Sequence, residues 1–352
     1  TQDTSSAASD VYKRQLNSGH DPNLLKIELS EIADIAPDLD LEVTGFKMAE
    51  LDIILDPPCE EEHDPADDVP EPDDGPAVTK PGDIWQLDKH LLICGDALKK
   101  ETYKLLLHDE LADAVFADAP YNVKISGHVC GNGKVKHREF ANASGEMDRM
   151  EFTSFLTTAF KLLAEYSTDG SIHFQCMDWR HQSEILQAGD MAYTKLVNLC
   201  VWNKNNGGMG SLYRSKHELV YVFKSGTKPH INNVALGKHG RYRTNVWDYS
   251  GVNSFGPNRS DLEMHPTVKP QSLVADAIKD VTKRGQLVLD PFAGSGTTLI
   301  AAEKTGRIAR CIELDPKYCD VIIQRWQKLT GGEAVNLNSS KTFNELAGGC
   351  DE

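Results

Sequence analysis

Four consecutive residues, Asp118-Ala119-Pro120-Tyr121, bring together a carboxylate, a main-chain carbonyl beside a proline of fixed φ, and an aromatic ring. They follow an apolar run, Ala114 to Ala117, that reads as a strand, so the carboxylate falls at a strand's end. A second constellation lies far downstream. Residues 287–298 read Leu-Val-Leu-Asp-Pro-Phe-Ala-Gly-Ser-Gly-Thr-Thr, a buried strand ending at Asp290, a tight turn, and a helix opening near Thr297. Gly294 and Gly296 lack a Cβ and let a ligand come close to the backbone. No Gly-Lys-Ser/Thr ending follows, which argues against a phosphate-cradling loop. The next apolar run ends at Glu313, about 20 residues past the glycines, where an acid can accept both hydroxyls of a ribose. Each signal also has a plainer origin. Glycines serve packed turns, and strand-end acids serve as helix caps, as Asp315 before Pro316 does.

The elements that must carry these residues alternate between apolar runs and helical stretches, the pattern of a parallel α/β sheet. Strands are expected at 91–94, 112–117, 170–175, 196–202, 217–223, 286–290 and 307–313. Helices are expected at 151–166, 271–284, 296–305 and 316–329. Upstream, residues 1–20 show no periodicity and read as a disordered tail, while 21–55 are partly helical. Residues 56–82 are rich in proline and acid and read as a linker, and residues 331–352 as a C-terminal tail.

The net charge of −16 argues against nucleic acid as a partner only until it is located. Residues 1–80 hold 21 Asp and Glu against 5 Lys and Arg, which accounts for the whole excess. Residues 195–245 carry nine Lys and Arg and one acid, Glu218, the footprint expected of a phosphate-binding stripe. The eight cysteines are scattered without a CxxC pair, which argues against a zinc cluster and a disulfide scaffold. No apolar run reaches the ~20 residues that span a bilayer, and the N-terminus is too polar for a signal peptide.

The tetrad Asp118 to Tyr121 resembles the Asp-Pro-Pro-Tyr motif of amino-methylating DNA methyltransferases, with Ala119 in place of the first proline. The loop from Asp290 to Thr298 resembles the S-adenosylmethionine motif of that family, and His265-Pro266-Thr267-Val268-Lys269-Pro270 resembles the segment before it. Tetrad first and cofactor loop last is the order of the permuted beta group. The resemblance covers roughly residues 83–330. Residues 21–55 resemble the end of a ParB-like module, here without its front.

The resemblance implies a Rossmann-like, S-adenosylmethionine-dependent fold with a seven-stranded, mostly parallel sheet, one antiparallel strand and circularly permuted motifs. It implies methyl transfer from S-adenosylmethionine to an exocyclic amine of double-stranded DNA, first of all N6 of a flipped-out adenine. Such an amine is a poor nucleophile because its lone pair is delocalised into the ring. Hydrogen bonds to the Asp118 carboxylate and to the carbonyl of Ala119 or Pro120 would favour a more nucleophilic nitrogen, and Tyr121 could stack on the base. Cofactor contacts are expected from Asp96, Asp290, Phe292, Ala293, Gly294, Ser295, Gly296, Thr297, Thr298 and Glu313, with His265 and Lys269 at the methionine end. Lys134, Lys136 and Arg138 lie in a Gly-rich loop, 122–149, expected to order over the base. Lys204, Arg214 and His217 are expected beside the base pocket. Lys238, Arg241 and Arg243 lie in a target-recognition region at about 225–262.

Competing readings are N4 of cytosine, since the same geometry serves both amines, and RNA in place of DNA. A ParB-like DNA-binding protein with an inactive catalytic domain is a third. An NAD-dependent dehydrogenase is a fourth, but it leaves the tetrad unexplained. A homodimer stays open, no metal or membrane is expected, and the setting expected is the cytoplasm of a bacterium, with a bacterial or phage gene.

Overall fold

In the computed structural model, which describes residues 22–36, 39–56, 65–70, 72, 75–122, 145–205, 207, 212–238, 242–251 and 268–348, apolar strands assemble into one sheet. The strands are β1 (Ile84–Leu87), β2 (His90–Cys94), β3 (Ala112–Ala117), β4 (Ser167–Met177), β5 (Lys195–Asn203), β6 (His217–Lys224), β7 (Val246–Asp248), β8 (Leu287–Asp290), β9 (Ile308–Glu313) and β10 (Val335–Asn336). Their spatial order is β10-β1-β2-β9-β8-β3-β4-β6-β5-β7. From β2 to β4 all neighbours are parallel. β6 runs antiparallel to both β4 and β5.

The seven expected strands are therefore present in a mostly parallel sheet, with β6 the one antiparallel strand among them; β1, outside the seven, also runs antiparallel to both its neighbours, β10 and β2. Three more strands, β1, β7 and β10, make the sheet ten-stranded. They are two to four residues long, β10 and β7 at the two edges and β1 next to β10, and are too short for their periodicity to be legible.

Every residue of β8 is buried, and β3 is buried except at Asp113, because helices cover both faces. One face carries α3 (Lys100–Leu107), α4 (Arg149–Glu165) and α5 (Gln182–Ala192), packed through residues such as Tyr103, Leu156 and Ile185. The other carries α6 (Gln271–Val281), α7 (Thr297–Lys304) and α8 (Pro316–Thr330), packed through Ile278, Leu299 and Ile322. Capping residues mark the starts. Asp148 accepts from the amides of Met150 and Glu151 while Glu151 bonds back to the Asp148 amide, a capping box.

The N-terminal segment forms α1 (Pro22–Ile35) and α2 (Met48–Leu55) around a small core of Leu25, Leu29, Phe46 and Leu51. It is fastened to the sheet by charge. The Arg307 guanidinium meets both Asp52 carboxylate oxygens at 2.7 and 2.9 Å, and neither side chain is exposed. Arg307 also donates to the carbonyls of Thr305 and Thr282 and to the Thr282 hydroxyl, so the buried charge is fully partnered.

Two expectations are corrected here. The stretch 56–82 is not a free linker, because polar anchors pin its described residues. Ala66 is buried, and the Asp320 carboxylate accepts from the Val78 and Thr79 amides at 2.8 and 3.0 Å. Nor is 331–352 merely a tail. β10 extends the sheet beside β1, and α9 (Phe343–Gly348) sets Phe343 against the buried Trp85 ring at 5.6 Å.

Candidate active site

Parallel pairing brings four strand ends to one edge. Val115 is level with Leu289, Asp290 with Cys311, and Cys94 with Glu313. The chain leaving β3, β8, β9 and β2 therefore delivers Asp118, the glycine loop, Glu313 and Asp96 to the same side of the sheet, where ligands of open α/β sheets bind.

At the end of β3 the Asp118 carboxylate is held from two directions. Tyr121 Oη donates to Oδ1 at 2.7 Å and Lys269 Nζ to Oδ2 at 2.7 Å. Lys269 is buried, and its ammonium also lies 2.8 Å from Glu218 Oε2 and 3.0 Å from Tyr121 Oη. Glu218 in turn accepts from Tyr121 at 3.2 Å and pairs with Lys204. Trp202, level with Glu218 in the β5–β6 register, walls the cluster, with Lys204 4.5 Å and Lys269 5.7 Å from its ring. Two carboxylates and two ammoniums thus balance in a poorly hydrated place. Burial opposes the Lys269 charge, but Asp118 and Glu218 more than offset it and hold the amine above the ordinary lysine range. Burial would likewise raise Glu218, yet Lys269 and Lys204 hold it down at about 2. Burial and the adjacent Asp118 carboxylate push the Tyr121 phenol well up, so it stays a donor. Each Asp118 oxygen retains acceptor capacity for a substrate amine. Ala119 is buried, so the departure from proline keeps a small side chain in the core.

Downstream of Tyr121, Asn122 adopts φ 52° and ties this point of the chain to residues 145–147, across the stretch expected to be a loop. It accepts from the amides of Gly145 and Met147 and donates to the Met147 carbonyl. Lys134, Lys136 and Arg138 in that loop lie outside the described residues, as do His265 and Arg241.

The glycine loop has an open face and a closed one. Gly294 has φ +52°, and a Cβ there would meet nothing nearer than the Phe292 carbonyl at 4.0 Å. Gly296 has φ +83°, and a Cβ there would lie 2.9 Å from Ile322. Gly294 therefore leaves room for a ligand, whereas Gly296 lets α8 pack. Glu313 accepts from the Gly294 amide at 2.7 Å and the Asp315 amide at 2.8 Å. Burial pushes its carboxyl up to about 7. Asp290 accepts from Thr298 Oγ1 at 2.6 Å and the Phe292 amide at 3.0 Å, and burial lifts it as well to about 7. Arg325 donates to the Ser295 carbonyl at 3.0 Å and to Thr297 Oγ1 at 3.2 Å. The Ala293 amide bonds the Ile312 carbonyl at 3.0 Å, and the Phe292 ring tilts against Phe155 at 6.0 Å. Asp290, Thr297 and Thr298 thus shape the loop from behind, while Gly294 and Glu313 border its open side. An open glycine face flanked by a strand-end acid fits a nucleoside cofactor. Asp96, half-buried at the next strand end, accepts from the Leu98 amide at 2.9 Å and so also starts the turn into α3.

The expected DNA contacts divide. Lys204 belongs to the Asp118–Glu218 cluster. Lys238 and Arg214 are exposed, and Arg214 donates to the Gly207 carbonyl. Arg243 is corrected: its half-buried guanidinium is spent on Asp280 at 3.1 Å, Asp276 at 3.4 Å and the Tyr249 hydroxyl, against the Trp247 ring. His217 starts β6 half-buried, and it is the next residue, Glu218, that reaches the site. Sequence reasoning passed over Glu218, although an acid at the head of the apolar run Leu219 to Phe223 was the available signal.

Residues 112–325 match the family described as DNA methylase, and residues 23–81 match the ParB-methyltransferase HTH domain, which takes in both the helical segment and the pinned acidic stretch. The Type II methyltransferase M2.DpnII of Streptococcus pneumoniae is 27% identical over 268 residues, 71% of this chain and 94% of that protein. The DNA adenine methyltransferase YhdJ of Escherichia coli K12 is 27% identical over 266 residues, 66% of this chain and 81% of that protein. Among solved structures, the PvuII DNA methyltransferase, cytosine-N4-specific, superposes with a TM-score of 0.52 at 16% identity, covering 74% of this chain and 90% of that one, a likeness of fold. A family match that runs from the strand before the tetrad to the helix behind the glycine loop, over more than half of the chain, makes this protein a member of the N6/N4 DNA methylase family.

Proposed function

We propose that this chain transfers a methyl group from S-adenosylmethionine to N6 of an adenine in double-stranded DNA. The observation that carries the reading is the Asp118 carboxylate, fixed by Tyr121 and Lys269 at the strand edge that also bears the open side of Gly294. One relative, named a DNA adenine methyltransferase, supports adenine as the base.

Gly294, Glu313 and Asp96 would hold the cofactor, with Glu313 accepting from the ribose hydroxyls and Asp96 meeting the adenine end. S-adenosylmethionine supplies a methyl group on a positively charged sulfur, ready for direct transfer. The work left to the chain is alignment and electrostatics. Asp118 and the carbonyl of Ala119 or Pro120 accept the two hydrogens of the target amine and draw its lone pair out of the ring. Lys269 and Tyr121 keep the Asp118 carboxylate oriented. Tyr121 offers an aromatic ring beside a base taken out of the stack. No protein nucleophile is needed, and burial holds the Cys176 thiol well above its ordinary range, so it stays protonated. A DNA substrate and relatives from bacteria support the bacterial cytoplasm as the place of work.

The test is methylation mapping of DNA from cells expressing the chain, with nucleoside analysis of the product. N6-methyladenine at one sequence context is the expected outcome. N4-methylcytosine would assign the other amine, and unmodified DNA would remove the reading.

A further inference from the structure

We infer that the acidic stretch preceding the catalytic domain supplies two positioning contacts to the methyl-transfer site, one through Asp67 and one through an Ala66–Arg325 bracket; the inference rests on the function proposed above.

The first contact concerns Lys269. α6 begins two residues after it, and the opening amides of a helix have no partner within the helix. Pro270, in the N-cap position, offers no side-chain acceptor. Asp67 Oδ1 takes that place from 204 residues away, accepting from the Gln271 amide at 2.8 Å. Gln271 is buried, which keeps water from substituting freely. A carboxylate is also the favoured charge at a helix N-terminus. The register of the first turn, and with it the backbone that aims Lys269 at Asp118 and Glu218, thus depends on a residue outside the catalytic domain.

The second contact concerns the glycine loop. The Ala66 carbonyl accepts from Arg325 Nη2 at 2.6 Å and Nε at 3.1 Å. The remaining arm of the same guanidinium, Nη1, reaches the Ser295 carbonyl and Thr297 Oγ1. Both Ala66 and Arg325 are buried. A planar, forked cation is suited to span two backbones in this way, and a lysine is not. Two consecutive residues, Ala66 and Asp67, therefore brace both halves of the site, and the neighbouring N-terminal helices are themselves fixed to the sheet through Asp52 and Arg307.

The experiment compares full-length Asp67→Ala, Asp67→Asn and Arg325→Lys with the unmodified chain. Three quantities are read: S-adenosylhomocysteine affinity by calorimetry, single-turnover methyl transfer at saturating S-adenosylmethionine, and hydrogen exchange at residues 271–274 and 294–297 without ligand. Asp67→Ala is expected to slow transfer about fivefold, with affinity changed by less than about twofold, and Asp67→Asn to restore most of the rate because it still caps. Arg325→Lys is expected to weaken S-adenosylhomocysteine about tenfold while the saturated rate stays near that of the unmodified chain. Exchange should quicken at 271–274 in Asp67→Ala and at 294–297 in Arg325→Lys. Lowered melting temperatures with rate, affinity and local exchange unchanged would overturn the inference and leave the stretch a stabilising strap. If the unmodified chain transfers no methyl group, the proposed function fails, and the exchange measurement still decides whether the two contacts brace the site: unchanged exchange overturns them, quickened exchange supports them.

Discussion

Lys269 Nζ stands 2.7 Å from Asp118 Oδ2, although 151 residues separate the two in the chain. The contact joins the strand end that bears the tetrad to the helix that precedes the glycine loop. It also shows how the Asp118 carboxylate is held in one orientation beside Tyr121. The ammonium is shared with Glu218, so it neutralises the region without being captured by Asp118 alone.

Replacing Asp118 by Ala removes the amine's acceptor and leaves the glycine loop untouched. Methyl transfer should fall by ~10³-fold or more while S-adenosylmethionine still binds, as loss of a preorganised hydrogen-bonding group at a reaction centre does. Single-turnover assays with labelled cofactor, alongside calorimetry, check this. Turnover near that of the unmodified chain would remove Asp118 from the mechanism.

Glu218→Gln leaves Lys269 and Lys204 facing Asp118 without their second carboxylate. Breaking a buried ion pair on one side costs ~3–5 kcal/mol, so the melting temperature should drop. Lys269 should then close on Asp118, and the transfer rate should fall more than cofactor affinity does. Equal losses in both would assign Glu218 a general structural role.

The two loop glycines should respond differently to Ala. At Gly294 the added methyl faces open space, so the fold loses only the ~1–2 kcal/mol of a left-handed residue, while cofactor affinity falls steeply. At Gly296 the methyl collides with Ile322 at 2.9 Å, so ~1–3 kcal/mol of overpacking is added and the melting temperature falls further. Thermal denaturation and calorimetry on both variants separate the effects.

The pH dependence follows from Asp290 and Glu313, both raised to about 7 by burial. In the unfolded chain such groups titrate near ~4. Folding therefore favours their protonated forms, and the stability this gives is complete below about pH 4 and is lost as pH rises through about 7. The ligand-free protein should melt at progressively lower temperature across that window on their account. In the proposed function a ribose hydroxyl donates to an ionised Glu313, so S-adenosylmethionine should bind more tightly as pH rises through about 7. Glu313→Gln should flatten that dependence, and calorimetry from pH 6 to 8 measures it.

Asp52→Ala strands a fully buried Arg307 and should destabilise the protein by ~3–5 kcal/mol. Asp52→Leu with Arg307→Met should recover much of that loss, since an apolar pair of similar size needs no desolvated charge. A double-mutant cycle on chemical denaturation reads the coupling.

Local order was legible in the chain itself. Seven strands, the tetrad and the glycine loop could be placed because apolar periodicity, turn residues and strand-end acids act within a few residues of one another. Glu218 was legible only in part: an acid in an apolar strand signals a function or a partner, but nothing nearby names Lys269 or Lys204. Arg243 shows the reverse case. A cation between aromatics looks the same whether it faces phosphate or, as here, two aspartates of α6. Strands β1 and β10 are too short for a period to emerge, and they are joined by backbone pairing and by the distant contact of Trp85 with Phe343.

The chain alone therefore determined the α/β class, the order of the motifs and the chemistry each motif could support, since these depend on neighbours in sequence. Only the tertiary structure decided which distant groups share a charge. Lys269 between Asp118 and Glu218, Asp52 under Arg307, and Asp67 at the head of α6 are contacts between residues 51 to 255 positions apart. Their worth depends on desolvation, and burial is a property of the packed whole that no local stretch of sequence carries.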